Sequence, residues 1–351
     1  MDSRNVDIVL VRMDKIGDLV VSLPVDEHPV FAGQRVHWFI TQGLGFVPQQ
    51  SQPKRIAHEF RRGFSAFEFF RMVRWLNGHR PQTIVLMHCP WWVSLAAWFA
   101  GVPERMGRLS QWHSFLFLNL GLRQKRSASD RHESDYNFDL VEWGFGRLGV
   151  KPADNLELIK KTFLRLSPPN PFATLEARGL KTRAYRVVHP GMGGSALNWP
   201  VEMFHQLIVR LAGEMPVLIT GTKIDRKYLH GLKDLQGTAG VHWLVEQLKP
   251  AELLDLLSQA RSVVGPSTGV LHLSAALGTP TVGIYSPRKV EHPRRWGPRG
   301  LNVTCLLPPD LEGDSFAPEV MRGISTESVY VAVVGAENTH ASTDHRPHSR
   351  L

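Results

Sequence analysis

Cysteine is almost missing from this chain: Cys89 and Cys305 are the only two in 351 residues. Neither lies in a Cys-x-x-Cys pair, so no disulfide framework and no zinc site is implied. A reducing compartment is the expectation. A secretory signal pattern is also lacking. The N-terminus carries Asp2 and one short apolar run ending at Arg12, which reads as a first core strand. Neither a Walker A loop nor a Gly-x-Gly-x-x-Gly fingerprint occurs where a strand meets a helix, which argues against dinucleotide binding there. Acidic residues are outnumbered, 32 against 41 Lys and Arg, for a formal charge of +9. That balance suits an anionic partner as well as it suits plain solubility.

Pro81–Pro103 contains no charged residue and holds Trp91, Trp92 and Trp98. Its length is near that of a membrane span. His88 and Pro90 interrupt it, however, and Gly101 and Pro103 end it. It therefore reads as a strand, Thr83–Met87, then a helix from Trp91 to about Ala100. Core packing is its first reading, and contact of the tryptophans with a membrane interface is the other.

Apolar runs and helical patterns alternate along the rest. Strands are expected at Ile8–Val11, Val36–Thr41, Tyr185–His189, Val217–Gly221, Ser262–Gly265 and Thr281–Tyr285. Helices are expected at Phe64–Leu76, Phe138–Leu148, Val201–Leu211, Leu248–Ala260 and Thr268–Leu277. Leu156–Ile159 reads as an edge strand, and Glu327–Val334 as a last helix. Alternation of this kind predicts an α/β fold with two Rossmann-like domains. The expected boundaries are 1–170 and 171–334, with a disordered polar tail over 335–351.

Three loops carry chemistry. His189–Pro200 (HPGMGGSALNWP) follows a strand, and its glycines allow backbone N–H groups to approach phosphate oxygens. A generic strand-to-helix turn is the plain alternative. Gly265–Gly269 (GPSTG) ends a strand and opens a helix. Ser267 or Thr268 can cap that helix, whose N-terminus favours an anion. His272 lies one turn further on, facing a ligand or simply packed. Arg288, Lys289, Arg294 and Arg295 form a basic loop after the next strand. It suits either phosphate contact or solvent.

Near the start, RMDKIGDLV places Asp14, Lys15 and Asp18 at the exit of the first strand. A carboxylate there can take a proton from an alcohol nucleophile, or can serve as a helix cap.

With VRMDKIGDLVVSLP, HPGMGGSALNWP and GPSTGVLHLSAALGTPTVGIYSP in this order and at this spacing, the chain resembles glycosyltransferase family 9, the ADP-heptose:lipopolysaccharide heptosyltransferases. The resemblance covers most of residues 8 to 300. It implies the GT-B fold, two Rossmann-like domains facing across a cleft. The N-terminal domain would bind a lipid-linked saccharide acceptor and the C-terminal domain a nucleotide sugar. It implies an inverting glycosyltransferase that moves heptose from ADP-heptose, with no cofactor and no bound metal. Asp18 falls on the family's general base, and Ser267, Thr268, Gly269 and His272 on its donor-diphosphate motif. Met192, Gly193 and Gly194 fall on its first donor loop. Asp14 and Lys15 become candidate acceptor contacts. Arg288, Lys289, Arg294 and Arg295 become candidate phosphate or nucleotide contacts. A cytoplasmic enzyme is expected, in peripheral contact with the inner membrane that holds its acceptor.

One position departs from the pattern. The family places a lysine two residues before the tryptophan of the first donor loop, where this chain has Leu197. A leucine cannot neutralise a leaving diphosphate. Two other readings therefore stay open: a transferase using another nucleotide sugar, and a weakly active sugar-nucleotide-binding protein. No nucleic-acid partner is expected, because the basic residues read as scattered or as flanking the anion loop.

Overall fold

The computed structural model describes residues 7–194, 196–309 and 317–344. Two compact units divide it. One holds residues up to 126 with 130–164, and the other holds 127–129 with 165 onward.

The first unit is a six-stranded parallel sheet. Its strands are β1 (Asp7–Arg12), β2 (Arg35–Thr41), β3 (Ile56–Phe60), β4 (Thr83–His88), β5 (Glu104–Arg108) and β6 (Leu120–Leu122). They lie in the order β3-β2-β1-β4-β5-β6. The connecting helices include α1 (Ile16–Ser22), α2 (Ala66–His79), α3 (Trp91–Phe99), α4 (Trp112–Phe117) and α5 (Glu133–Arg147). Val9, Val11, Phe39, Ile84, Met72 and Trp92 belong to one buried cluster. The central strands read as unbroken apolar runs because both faces of the sheet are covered.

The second unit repeats the plan. Its strands are β7 (Arg186–Val188), β8 (Val217–Ile219), β9 (Val241–Trp243), β10 (Val263–Pro266), β11 (Thr281–Ile284) and β12 (Val303–Leu306). They pair in parallel in the order β9-β8-β7-β10-β11-β12. Its longer helices are α6 (Val201–Ala212), α7 (Pro250–Gln259), α8 (Gly269–Ala276) and α9 (Thr326–Asp344). In each unit the order reverses between the first strand and the fourth. That switch point is where open α/β sheets hold ligands.

Several sequence expectations are corrected. Leu156–Ile159 is a helical turn, not an edge strand. Its last carbonyls are satisfied locally, and Lys160 ties the turn to Asp139 on α5 at 2.9 Å. Helix α5 starts at Glu133 rather than Phe138, because the His132 side chain caps it and Glu133 is anchored by two arginines.

The polar residues from Gly335 are helical as far as Asp344, not disordered. Residues 345–351 lie outside the described residues. The helix holds because its polar side chains have specific partners. Glu337 is buried and accepts from Arg186 at 2.8 and 3.0 Å, Arg261 at 3.0 Å and Ser262 at 2.6 Å. Val329 and Val333 enter the core beside it. Burial works against the ionised form of Glu337, but the bonds from Arg186 and Ser262 outweigh it and hold its pKa below the usual range.

Glu337→Ala leaves the Arg186 cation buried without its main partner. The expected cost is about 3–5 kcal/mol in urea unfolding of the second unit. Glu337→Gln is expected to lose less. An alanine variant within 1 kcal/mol of wild type, taken as roughly the surface-substitution range, would show that α9 does not depend on this carboxylate.

Candidate functional site

On the first unit, the switch point is built around Arg12. The pairing of β1 with β4 slips by one residue between Val11 and Arg12, so Arg12 lies opposite His88. Such irregularities re-aim side chains at strand ends. The Arg12 guanidinium is buried and touches three carboxylates. Its Nε donates to Asp14 Oδ1 at 3.1 Å, its Nη2 to Asp18 Oδ1 at 2.6 Å, and its Nη1 to Glu133 Oε1 at 3.1 Å. A second buried cation, Arg126, also donates to Glu133 and reaches Asn137 Oδ1 at 3.0 Å.

Asp18 is the third residue of α1, where a carboxylate gains from the helix N-terminus. The cap position belongs to Lys15, with no side-chain capping bond. The capping role weighed for Asp18 is thus not the one it plays; its side chain is turned to Arg12. Asp18 remains partly open to solvent, its side chain 18% exposed. Its backbone carbonyl accepts from Ser22, whose hydroxyl accepts in turn from Asn137 of α5.

The charges here do not balance if every acid ionises: Asp14, Asp18 and Glu133 face Arg12 and Arg126. Burial resolves this at Asp14, whose pKa is pushed up to about 7 against the opposing pull of Arg12. For Arg12 itself, burial disfavours the cation, but Asp14, Asp18 and Glu133 together raise its pKa above the ordinary value. His88, 4.0 Å from Asp14, is pushed down to about 4 by burial and by Arg12 and Arg108. It is neutral at pH 7. Lys15 is exposed, whereas Asp14 is turned inward onto Arg12.

Beside this network opens a cavity of about 730 Å³ in the first unit. Arg62, His88, Trp91, Gln111, Trp112 and His113 are among its walls. None of these residues stood out as a site residue in the sequence. The available signal was position: His88 is the last residue of β4, at the sheet edge where α/β folds place ligands.

On the second unit, the loop after β7 and the loop after β10 meet. A Cβ on Gly265 would sit 2.6 Å from the His189 carbonyl oxygen, so only glycine permits this approach. Gly193 has φ +59° and donates its N–H to Asp225 Oδ1 at 3.0 Å. Asp225 Oδ2 is held by the N–H and hydroxyl of Thr222. Met192 is buried, and its sulfur accepts from the Ala196 N–H; Ser195 lies outside the described residues.

Thr268 is the cap residue of α8, but its hydroxyl makes no capping bond, contrary to expectation. Ser267 lies against the buried Tyr285 hydroxyl instead. The first N–H groups of such a helix have no partner within it, so they remain available for an anion. His272 is buried in α8.

Leu197 packs against the core of this unit, and its N–H donates to Glu291 Oε2 at 2.9 Å. Glu291 is also 3.5 Å from Arg288. The glycine loop and the basic loop are thereby joined. Of the other basic residues, Lys289 and Arg294 are exposed, and Arg295 lies over the Trp296 ring at 4.7 Å.

A family model described as glycosyltransferase family 9 (heptosyltransferase) matches residues 91–316. A curated relative from Haemophilus influenzae, named "Putative glycosyltransferase", is 29% identical over 209 residues. That match covers 58% of this chain and 59% of the relative. Among solved structures, the ADP-heptose lipopolysaccharide heptosyltransferase II of E. coli matches with a TM-score of 0.77 at 17% identity, over 95% of this chain and 99% of its own. A family 9 glycosyl transferase from Veillonella parvula matches at 0.76 and 16%, over 97% and 99%. The E. coli heptosyltransferase WaaC with ADP matches at 0.64 and 17%, over 94% and 99%. At these identities the likeness is one of fold, and the fold is GT-B, built from two Rossmann-like domains.

Asp14 gives a pH test of the network. Its folded pKa, about 7, stands above its ordinary value of 3.8. The folded state therefore binds this proton more tightly. The stability it contributes is full below the ordinary value and is lost as pH rises through 7. The depressed His88 acts oppositely, but only below its ordinary value of 6.5. Between about pH 6.5 and 8, wild type is expected to lose stability relative to Asp14→Asn in urea unfolding. Parallel curves for the two proteins would remove the assignment.

Proposed function

The chain belongs to glycosyltransferase family 9, and from that membership we propose that it transfers heptose, or a related sugar, from an ADP-sugar to a lipopolysaccharide core or related glycan with inversion. The observation that carries this reading is the Asp18 carboxylate, partly open to solvent and bonded at 2.6 Å to a buried arginine. The first unit is the acceptor half and the second the donor half.

Asp18 takes the proton of an acceptor hydroxyl as that oxygen bonds to the anomeric carbon. The bond from that carbon to the diphosphate oxygen breaks, and ADP leaves from the opposite face. Arg12 holds the Asp18 side chain in place through the 2.6 Å bond from its Nη2. Asp14 and Lys15 border the acceptor. On the donor half, the α8 N-terminus with Ser267, Thr268 and Gly269 receives charge developing on the diphosphate. Met192, Gly193, Gly194 and His272 shape the donor pocket. Arg288, Lys289, Arg294 and Arg295 supply positive charge in place of the lysine that Leu197 replaces.

The acceptor is a lipid-linked saccharide, which puts the reaction at the cytoplasmic face of the inner membrane. A second reading, another nucleotide sugar as donor, is favoured by Leu197. Calorimetry with ADP-heptose and a panel of other nucleotide sugars decides between them; ADP-heptose is expected to bind tightest, and a preference for another nucleotide would select the second reading.

Asp18→Asn keeps the shape of the site and removes the base. It is expected to lower turnover by about 10²–10⁴-fold, while calorimetry shows donor affinity within about threefold of wild type, less than 1 kcal/mol. Turnover near the wild-type value would sink the base assignment.

A further inference from the structure

The basic residues are not scattered, as the sequence reading has it. Residues 61–126 contain ten Lys and Arg against two Glu, leaving 31 basic against 30 acidic residues in the rest of the chain. Nearly all of the net charge of +9 thus comes from one segment of the first unit. Arg61, Arg62, Arg71, Arg74, Arg123 and Lys125 in it are exposed. Of its two acids, Glu68 is buried and bonded to Arg71.

The same segment carries an apolar surface. On α2, Phe67 and Phe70 are 73% and 60% exposed; on α3, Trp98 and Phe99 are 50% and 59%; on α4, Phe115 and Leu116 are 52% and 65%. Helix α2 packs on α3, and α3 on α4. Ring contacts connect the surface: Phe99 meets Phe69, which meets Phe70, and Trp98 meets Phe117, which meets Trp112. Large contiguous apolar patches of this kind mark an interaction site. Trp112, at one edge, also lines the 730 Å³ cavity beside His88.

We infer that the outer faces of α2, α3 and α4 form a docking surface for an anionic lipid bilayer, with the aromatic side chains seated at the headgroup level and the flanking arginines on acidic headgroups. Charge complementarity selects this occupant. Exposed Trp and Phe beside arginine are the composition of an interfacial anchor, and each basic residue near an acidic bilayer adds attraction. A second copy would set like-charged surfaces against each other, and a nucleic acid would leave the aliphatic and aromatic surface without a purpose beyond stacking. The inference deepens the membrane part of the proposed function. Its test uses no sugar donor, so it succeeds or fails apart from the transfer reaction.

The full chain is sedimented with vesicles of phosphatidylcholine alone and of phosphatidylcholine with phosphatidylglycerol. Binding to the acidic vesicles, weakened by salt, is expected. Phe67→Ser/Trp98→Ser and, separately, Arg61→Glu/Arg74→Glu are each expected to weaken it by about tenfold or more. All four positions are exposed, and unchanged thermal unfolding and an unchanged circular dichroism spectrum confirm that the variants fold. Quenching of wild-type tryptophan fluorescence by brominated acidic lipid is the second readout. No binding to acidic vesicles overturns the inference. So does binding that both double variants retain. Self-association in sedimentation velocity that the serine variant abolishes, or single-stranded oligonucleotide binding without vesicle binding, would assign the surface to a second copy or to nucleic acid and equally overturn it.

Discussion

One guanidinium organises the first unit. Arg12 stands at the end of the central strand, buried, with carboxylates from the following loop, the following helix and a helix over a hundred residues away. Each bond fixes a different element. Asp14 fixes the turn, Asp18 the start of α1, and Glu133 the start of α5. A buried cation in this position cannot be left short of partners, because desolvation would then exceed what attraction returns. The same bonds that satisfy it therefore set where Asp18 lies, and the orientation of a candidate base becomes a by-product of charge satisfaction in the core.

The excess of carboxylates over cations in this network has its own consequence. Three acids cannot all be ionised cheaply around two buried arginines. Asp14 carries the raised pKa, through burial, while Asp18 keeps more of its side chain open to solvent. Two aspartates four residues apart thus lie in different environments, one turned inward where it can hold a proton and one at the rim of the network.

The sequence showed the frame of the fold and only half of each site. Central strands such as Ile8–Val11 and Thr83–Met87 were legible because burial on both faces makes them continuous apolar runs. The edge strands Ile56–Phe60, Leu120–Leu122, Val241–Trp243 and Val303–Leu306 were missed, as was Glu104–Arg108 next to one edge, since partial exposure dilutes that signal. Asp18 was legible through its place after the glycine of a strand-to-helix turn. Arg12, Glu133, Arg126 and His88 were not, because what makes them site residues is pairing across distant parts of the chain. Helix α9 was cut short for the same reason: Glu337 looks like a tail residue until Arg186, Arg261 and Ser262 are found around it.

Leu197 shows how such pairing changes the meaning of a single residue. As a sequence feature it is a lost cation. In the structure its half-buried side chain packs against the core, and its backbone N–H holds Glu291, which in turn faces Arg288. A lysine in that position would give up this apolar packing to place its charge in solvent. The loop thus trades a mobile charge of its own for a fixed attachment to a neighbouring loop that is rich in charge. Electrostatic stabilisation works through groups already in place before charge develops, and a cation carried on an anchored loop meets that requirement as well as one at the end of a flexible chain. The departure from the family pattern at Leu197 is thus matched by an attachment between two loops of the second unit, one of them rich in positive charge.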